Sequence, residues 1–357
     1  MLESLYEEAI NKKGTIQEQI VEYQHKDLDL SKNWIEKTIP LPLKDKVIAA
    51  GDGSLNKKRF ISFYLYAVAA ESLIYNPNKD QKLKKYELTN IDTLSHQKFL
   101  DERLSNFMNI FELKNAIKTI EDNKDLDYYL LDGSIYGNII PLFPSPHDIP
   151  KKTRIDIIKQ VNSQFKESIK NKEENIKSND LINTLDLDNK FKDYEISIFL
   201  ENIEKSLLYI ELLKHKEKIV AISKTSSSKD FFNSNVPDIA LLNYYSTNEG
   251  YSTLRYRNAS EDIRTNFLIG DEFFKNIDFT IFYARLSPNT NVLKFELPYH
   301  ASEEECLQVL SDLKKDSVGG YPYLLYKAHH DVVIQNNDMN SISSIVDIIE
   351  RQGREML

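Results

Sequence analysis

The chain has 357 residues, 41% of them hydrophobic and 28% charged, with a net charge of −9 and one cysteine, Cys306. That balance belongs to a globular protein rather than a disordered one, excludes an intrachain disulfide or a cysteine-rich metal site, and suits a reducing, cytoplasmic compartment. The acidity argues against a protein that coats nucleic acid by charge alone, while leaving room for a local basic groove.

Leu2, Leu5, Tyr6, Ala9 and Ile10, then Ile16 and Ile20, fall at helical spacing, so residues 1–37 read as helical. Glu3, Glu7 and Glu8 stand where a secretory signal would carry basic residues, and the most apolar run, Phe60 to Ala70, is too short to span a bilayer as a helix. A membrane protein is not expected. Pro40 and Pro42 end the helical region. Val47 to Gly51 reads as a first strand and Arg59 to Ala70 as a second, with Gly53 to Lys58 as the turn between them; Leu83 to Ile91 is a third. Leu94 to Ile120 turns helical, and Tyr128 to Leu131 is a fourth strand.

Pro141 to Pro146 forms a rigid loop, and 150–215 reads as a helical insertion whose part from Lys166 to Tyr194 is polar, low in complexity and exposed. Lys218 to Ser223 is a short buried strand. Ile277 to Arg285 and Asn291 to Leu297 form a hairpin around Ser287-Pro288-Asn289. Ser302 with Glu305 three residues on is a capping-box signature. Residues 321–330 are expected to be helical, Val332 to Ile334 extended, and Ser343 to Arg351 a closing helix. Strand, hairpin, helix, strand is the opening order of a ribonuclease H-like α/β fold, a mixed sheet flanked by helices. The expected organisation is one unit over 1–357, with a helical segment over 1–40 and the insertion at 150–215.

The chemistry rests on a tripeptide that occurs twice. Asp52-Gly53-Ser54 follows the apolar run Val47 to Gly51, and Asp132-Gly133-Ser134 follows Tyr128 to Leu131. Each reads as a buried strand delivering a carboxylate to the end of a sheet. Two carboxylates from different strands suit magnesium or manganese, which prefer oxygen donors. Two such ions about 3.5–4 Å apart can hold both the attacking and the leaving oxygen of a phosphodiester. Asp-Gly-Ser is also a common turn; a single copy would carry no argument, and the repetition carries it. A third acid is expected from the intervening helix, with Glu102, Glu112 and Glu121 as candidates. Glu112 stands in the apolar stretch Ile110 to Leu113, where an unpartnered carboxylate is costly. The late segment Gly319 to Asp331 contains Tyr321, His329 and His330, read either as a surface pair at a helix end or as a proton-handling or ligand group. Lys57, Lys58 and Arg59 beside the first acid, and Lys224 after a buried strand, are candidate phosphate contacts. No Walker-type loop is present, so no ATP hydrolysis is expected. Cys306, beside Glu303, Glu304 and Glu305, is a poor thiolate.

Taken in order, Gly51-Asp52-Gly53-Ser54, Glu112, Leu131-Asp132-Gly133-Ser134, Gly320-Tyr321-Pro322 and Ala328-His329 resemble the archaeal NurA nuclease family over most of the chain. The resemblance implies a manganese-dependent (or magnesium-dependent) DNA nuclease with two ions, in which Asp52, Glu112, Asp132 and His329 are ligands and Tyr321 lies beside them. It implies single-strand endonuclease and 5′-to-3′ exonuclease activity in DNA end resection and double-strand break repair. It also implies a HerA-type hexameric helicase as partner and a homodimer around DNA. The competing expectations are a non-catalytic DNA and helicase adaptor of the same fold, and a metal-dependent phosphatase.

Overall fold

The computed structural model describes residues 2–22, 32–79, 83–95, 98–139, 149–186, 193–262 and 269–348. Helix α1 (Leu2–Glu22) is followed by a short strand, β1 (Trp34–Glu36), where a helix was expected. Strands β2 (Ile48–Arg59), β3 (Phe63–Tyr75) and β4 (Leu83–Ser95) form an antiparallel meander. Helix α2 (Leu100–Asp122) then returns the chain to β5 (Tyr128–Asp132), which lies parallel to β2. The helices α3 (Ile135–Ile139), α4 (Lys151–Lys170), α5 (Lys177–Leu181) and α6 (Asp193–Leu213) lead to β6 (Ile219–Ser223), parallel to β5. Next come α7 (Asp238–Tyr245), β7 (Gly250–Ser252), β8 (Arg255–Asn258), α8 (Ala259–Asp262) and α9 (Asp271–Lys275). The hairpin β9 (Asp278–Arg285) and β10 (Leu293–Leu297) follows. The chain closes with α10 (Glu303–Lys315), the small ribbon β11 (Ser317–Val318) and β12 (Tyr321–Pro322), α11 (Tyr323–Val332) and α12 (Asn336–Ile345).

The large sheet is mixed, in the order β1-β7-β9-β10-β6-β5-β2-β3-β4, with β8 on β9. Its central strands are short apolar runs covered on both faces, as a parallel pair requires. The pleat sorts their residues. Ala49, Tyr129 and Ala221 join the core under α2 with Phe107 and Phe111, while Ala50, Leu130 and Ile222 join the opposite core with Leu310 and Leu325 of α10 and α11. The capping box at Ser302 is formed as its sequence suggests, with Ser302 accepting from Glu305 N–H. Cys306 is buried, and burial followed by Glu305 and Glu303 pushes its thiol up to about 12.

Several boundaries differ from expectation. Gly53 to Lys58 is not a turn: β2 runs on through it, pairing with β3 from Ile48–Tyr75 to Arg59–Tyr64. The reversal falls at Phe60 to Ser62 instead. The long ladder outweighs the local turn preference of Asp-Gly-Ser-Leu-Asn. Leu94 and Ser95 belong to β4, the late helix begins at Tyr323, and the closing helix begins at Asn336. The stretch from Lys166 to Tyr194 is not simply exposed, because Ile176, Ser178 and Leu181 are buried. Leu181 packs in a separate core with Phe165 of α4 and Phe199 of α6. The Pro141 to Pro146 loop lies outside the described residues. Among the described residues, no helix is long and apolar enough to cross a membrane.

Candidate active and metal-binding site

Parallel pairing sets the two repeated acids side by side. Gly51 of β2 lies opposite Leu131 of β5, so Asp52 and Asp132 are the next residues of each strand. Both are two residues beyond side chains of the α11-side core, Ala50 and Leu130, and the pleat therefore points them to that same face. The expectation that both acids close their strands holds only for Asp132. Asp52 sits mid-strand, opposite Glu71 of β3. What ends beside it is β5, which leaves that edge of β2 open.

Helix α11 brings His329 to the same place. Its Nδ1 lies 2.6 Å from Oδ2 of Asp52, and Asp52, Asp132 and His329 each offer one ligand atom within 4.8 Å of the others. Ser54 Oγ accepts from Ile334 N–H (3.0 Å), and Asn56 donates to the Ile334 carbonyl (2.9 Å), which ties the end of α11 to β2. Lys224, just past β6, places its ammonium 3.1 Å from Oδ2 of Asp132 and 4.6 Å from the Tyr321 ring centre. The Tyr321 hydroxyl is buried without a well-aligned partner. Burial, then Asp132 and Asp52, push its proton affinity up.

Glu112 approaches from the other face. It lies outside the three-residue group, half-buried on α2 and packed against the backbone of Gly53. A Cβ at Gly53 would fall 2.5–2.9 Å from the Glu112 carboxylate and its stem. A side chain at this glycine would push the Glu112 carboxylate away from β2. Burial, reinforced by Asp52 and Asp132, raises Glu112 to about 8. Asp52 is raised as well, by burial first, with Asp132 adding and with His329 and the Gly53 N–H pulling it back. Crowded carboxylates raised in this way are relieved by a compensating cation. Two carboxylates and an imidazole form a donor set that fits manganese or magnesium.

The other expected phosphate contacts are elsewhere. Lys57, Lys58 and Arg59 lie five to seven residues along β2 from Asp52, about 17–24 Å away. Lys57 pairs with Asp101, Lys58 reaches Asn340 and Ser343, and Arg59 lies over Tyr64. They were expected beside the first acid because β2 was expected to turn there.

The sequence reading missed Glu296. This fully buried residue of β10 accepts from Ser134 Oγ (2.6 Å) and from the Tyr136 N–H (2.9 Å), and pairs with buried Lys294 (2.7 Å). It pins the turn that follows Asp132. The available signal was the pair of charges two apart in an apolar strand, Leu293-Lys294-Phe295-Glu296-Leu297, which the pleat puts on one face.

The family model for the NurA domain matches residues 46–334. The chain belongs to the NurA family. A relative from Methanocaldococcus jannaschii, named a probable DNA double-strand break repair nuclease NurA, is 30% identical over 95% of this chain and 89% of its own. The crystal structure of the NurA nuclease from Sulfolobus solfataricus superposes with a TM-score of 0.72 at 24% identity, covering 97% of this chain and 96% of that one. A NurA structure bound to dAMP and manganese superposes with a TM-score of 0.66 at 14% identity, covering 99% and 96%. The NurA match begins just before β2 and ends just after α11, so it contains every residue of the group around Asp52.

Proposed function

We propose that this NurA-family chain is a divalent-metal-dependent DNA nuclease acting in double-strand break repair. The observation that carries the reading is the convergence of Asp52, Asp132 and His329, from three separate elements, within 4.8 Å. The names of its relatives and the manganese and dAMP in a NurA structure support it. Asp52, Asp132 and His329 are the ligands, with Glu112 as the third acid, and the metal is a pair of manganese or magnesium ions. The ions, when bound, supply Lewis acidity to the phosphate and lower the pKa of water.

The chain's own residues do the rest. Asp52 orients the His329 ring through Nδ1. Lys224, drawn toward Asp132, is placed to meet a phosphate oxygen. Tyr321 supplies a buried hydroxyl next to that lysine, and Glu296 fixes the turn after Asp132. The β4-β3-β2-β5-β6 half of the sheet, an antiparallel meander followed by two strands parallel to β2, supports the ribonuclease H-like reading.

We read 1–357 as one unit, active in the cytoplasm as a homodimer with a HerA-type helicase as DNA-feeding partner. Single-strand endonuclease and 5′-to-3′ exonuclease activities belong to the same proposal, as do secondary DNA contacts from Lys57, Lys58 and Arg59. The test is a manganese titration with single-stranded DNA and a chromogenic phosphate monoester as alternative substrates. DNA cleavage that disappears in Asp52→Ala, with the monoester untouched, is expected. Equal cleavage by the variant and the parent removes the proposed site.

A further inference from the structure

Helix α11 buries Leu324, Leu325, Ala328 and Val332 against the sheet. Tyr323, Tyr326 and His330 are exposed, and each tyrosine keeps 49% of its surface in solvent. Spacings of three and four put these three on one stripe of the helix. Their rings form a row. The Tyr323 and Tyr326 centroids are 6.4 Å apart with planes 26° from parallel, and Tyr326 and His330 are 4.2 Å apart. His330 is in turn 5.8 Å from the His329 ring, which rests on Asp52. The row thus starts at the acid group and runs outward along the helix. Seven residues rise about 10 Å, the length of roughly three bases at about 3.4 Å each.

The position and chemistry of the row narrow its occupant. Tyrosine is at home on protein interfaces too, so it is the position of the row, in contact with His329 and through it with Asp52, that favours a nucleic-acid occupant. Lys327 stands within the stripe, but Asp331 holds its ammonium at 2.5 Å. Attraction to this face therefore has to come from ring faces more than from net charge. Nucleobases meet that requirement, because every base offers a flat face whatever its sequence. Continuity with the Asp52 group sets which nucleobases: those of the strand whose phosphate lies there.

We propose that Tyr323, Tyr326 and His330 form a stacking platform for the bases of a single DNA strand, next to the phosphate that Lys224 draws to the Asp52 and Asp132 group. This rests on the nuclease reading above. A platform of this kind favours strands whose bases are free to leave their own stack, and disfavours intact duplex.

The test is fluorescence anisotropy with the full chain in EDTA, so that nothing is cut. The probes are a short oligothymidylate and a sugar-phosphate strand of equal length without bases. Tyr326→Ala is expected to weaken oligothymidylate binding about tenfold, the loss of one stacked base. Tyr326→Trp is expected to restore it, and the baseless strand should bind all three proteins equally. Equal losses on both strands would overturn the platform in favour of backbone contact. Unchanged oligothymidylate binding would overturn it in favour of another occupant, such as a protein. Circular dichroism checks that the exposed substitutions leave the fold intact. A wild-type chain that binds the strand but never cuts it in manganese overturns the nuclease reading and leaves the platform standing.

Discussion

A single absent side chain decides how close the two faces of the site can come. Gly53 lets Glu112 press against β2 from the α2 side while Asp52, one residue earlier, points to α11. The result is a group of acids that repel one another, with Glu112 raised from its ordinary 4.5 to about 8 by burial and by Asp52 and Asp132. A carboxylate raised in this way favours the fold while it keeps its proton. That contribution is complete below the ordinary carboxylate range and is lost as the pH rises through about 8. A metal ligand must shed the same proton. Manganese is therefore expected to raise the melting temperature more at pH about 8.5 than at about 6.5, measured by calorimetry with and without the ion. An equal shift at both values would mean that Glu112 gives up no proton to the metal.

Helix α2 is held in place by more than its apolar stripe. Arg103 of α2 and Glu201 of α6 form a buried pair at 2.6 Å, with Asn106 donating to the same carboxylate at 3.0 Å. Lys114 and Glu204 form a second pair at 2.9 Å. Removing one partner of such a pair strands a buried charge and costs about 3–5 kcal/mol. Glu201→Ala is expected to lose that much in urea unfolding, and Glu201→Leu with Arg103→Met to recover most of it. A double variant no better than the single one would show that the pair is not what locks α2. Elements of this kind were partly legible. Apolar spacing gives α2, β5, β6 and the β9–β10 hairpin because their cores are local patterns. The end of β2 was not legible: its reversal at Phe60-Ile61-Ser62 contains no glycine, proline or asparagine, whereas the paired stretch before it contains Gly53 and Asn56. The short strand at Trp34 was hidden for a similar reason, since its partner strand, β7 (Gly250–Ser252), lies far along the chain.

On the scale of the whole molecule, Asp52, Asp132 and His329 come from β2, β5 and α11, and only the sheet order and the packing of α11 on β2 make them neighbours. The repeated Asp-Gly-Ser announced the two acids because a repeat is visible in one dimension. The family resemblance singled out His329 over its neighbour His330; in three dimensions His329 reaches Asp52 and His330 faces the aromatic row. Helix α1 leaves Leu2, Leu5, Tyr6 and Ile10 exposed, 61–73% each, an apolar stripe that a second copy of the chain would cover. Deleting residues 2–22 is expected to convert the proposed homodimer to a monomer in sedimentation velocity; a deletion that sediments like the parent would take α1 out of the proposed dimer surface. The claim on which all of this turns is that the acids and the histidine hold a metal. Anomalous diffraction from a manganese-soaked crystal tests it most directly. The expected peak lies among the Asp52 and Asp132 carboxylates and the His329 ring, and a map with ordered manganese only at other residues would contradict the account.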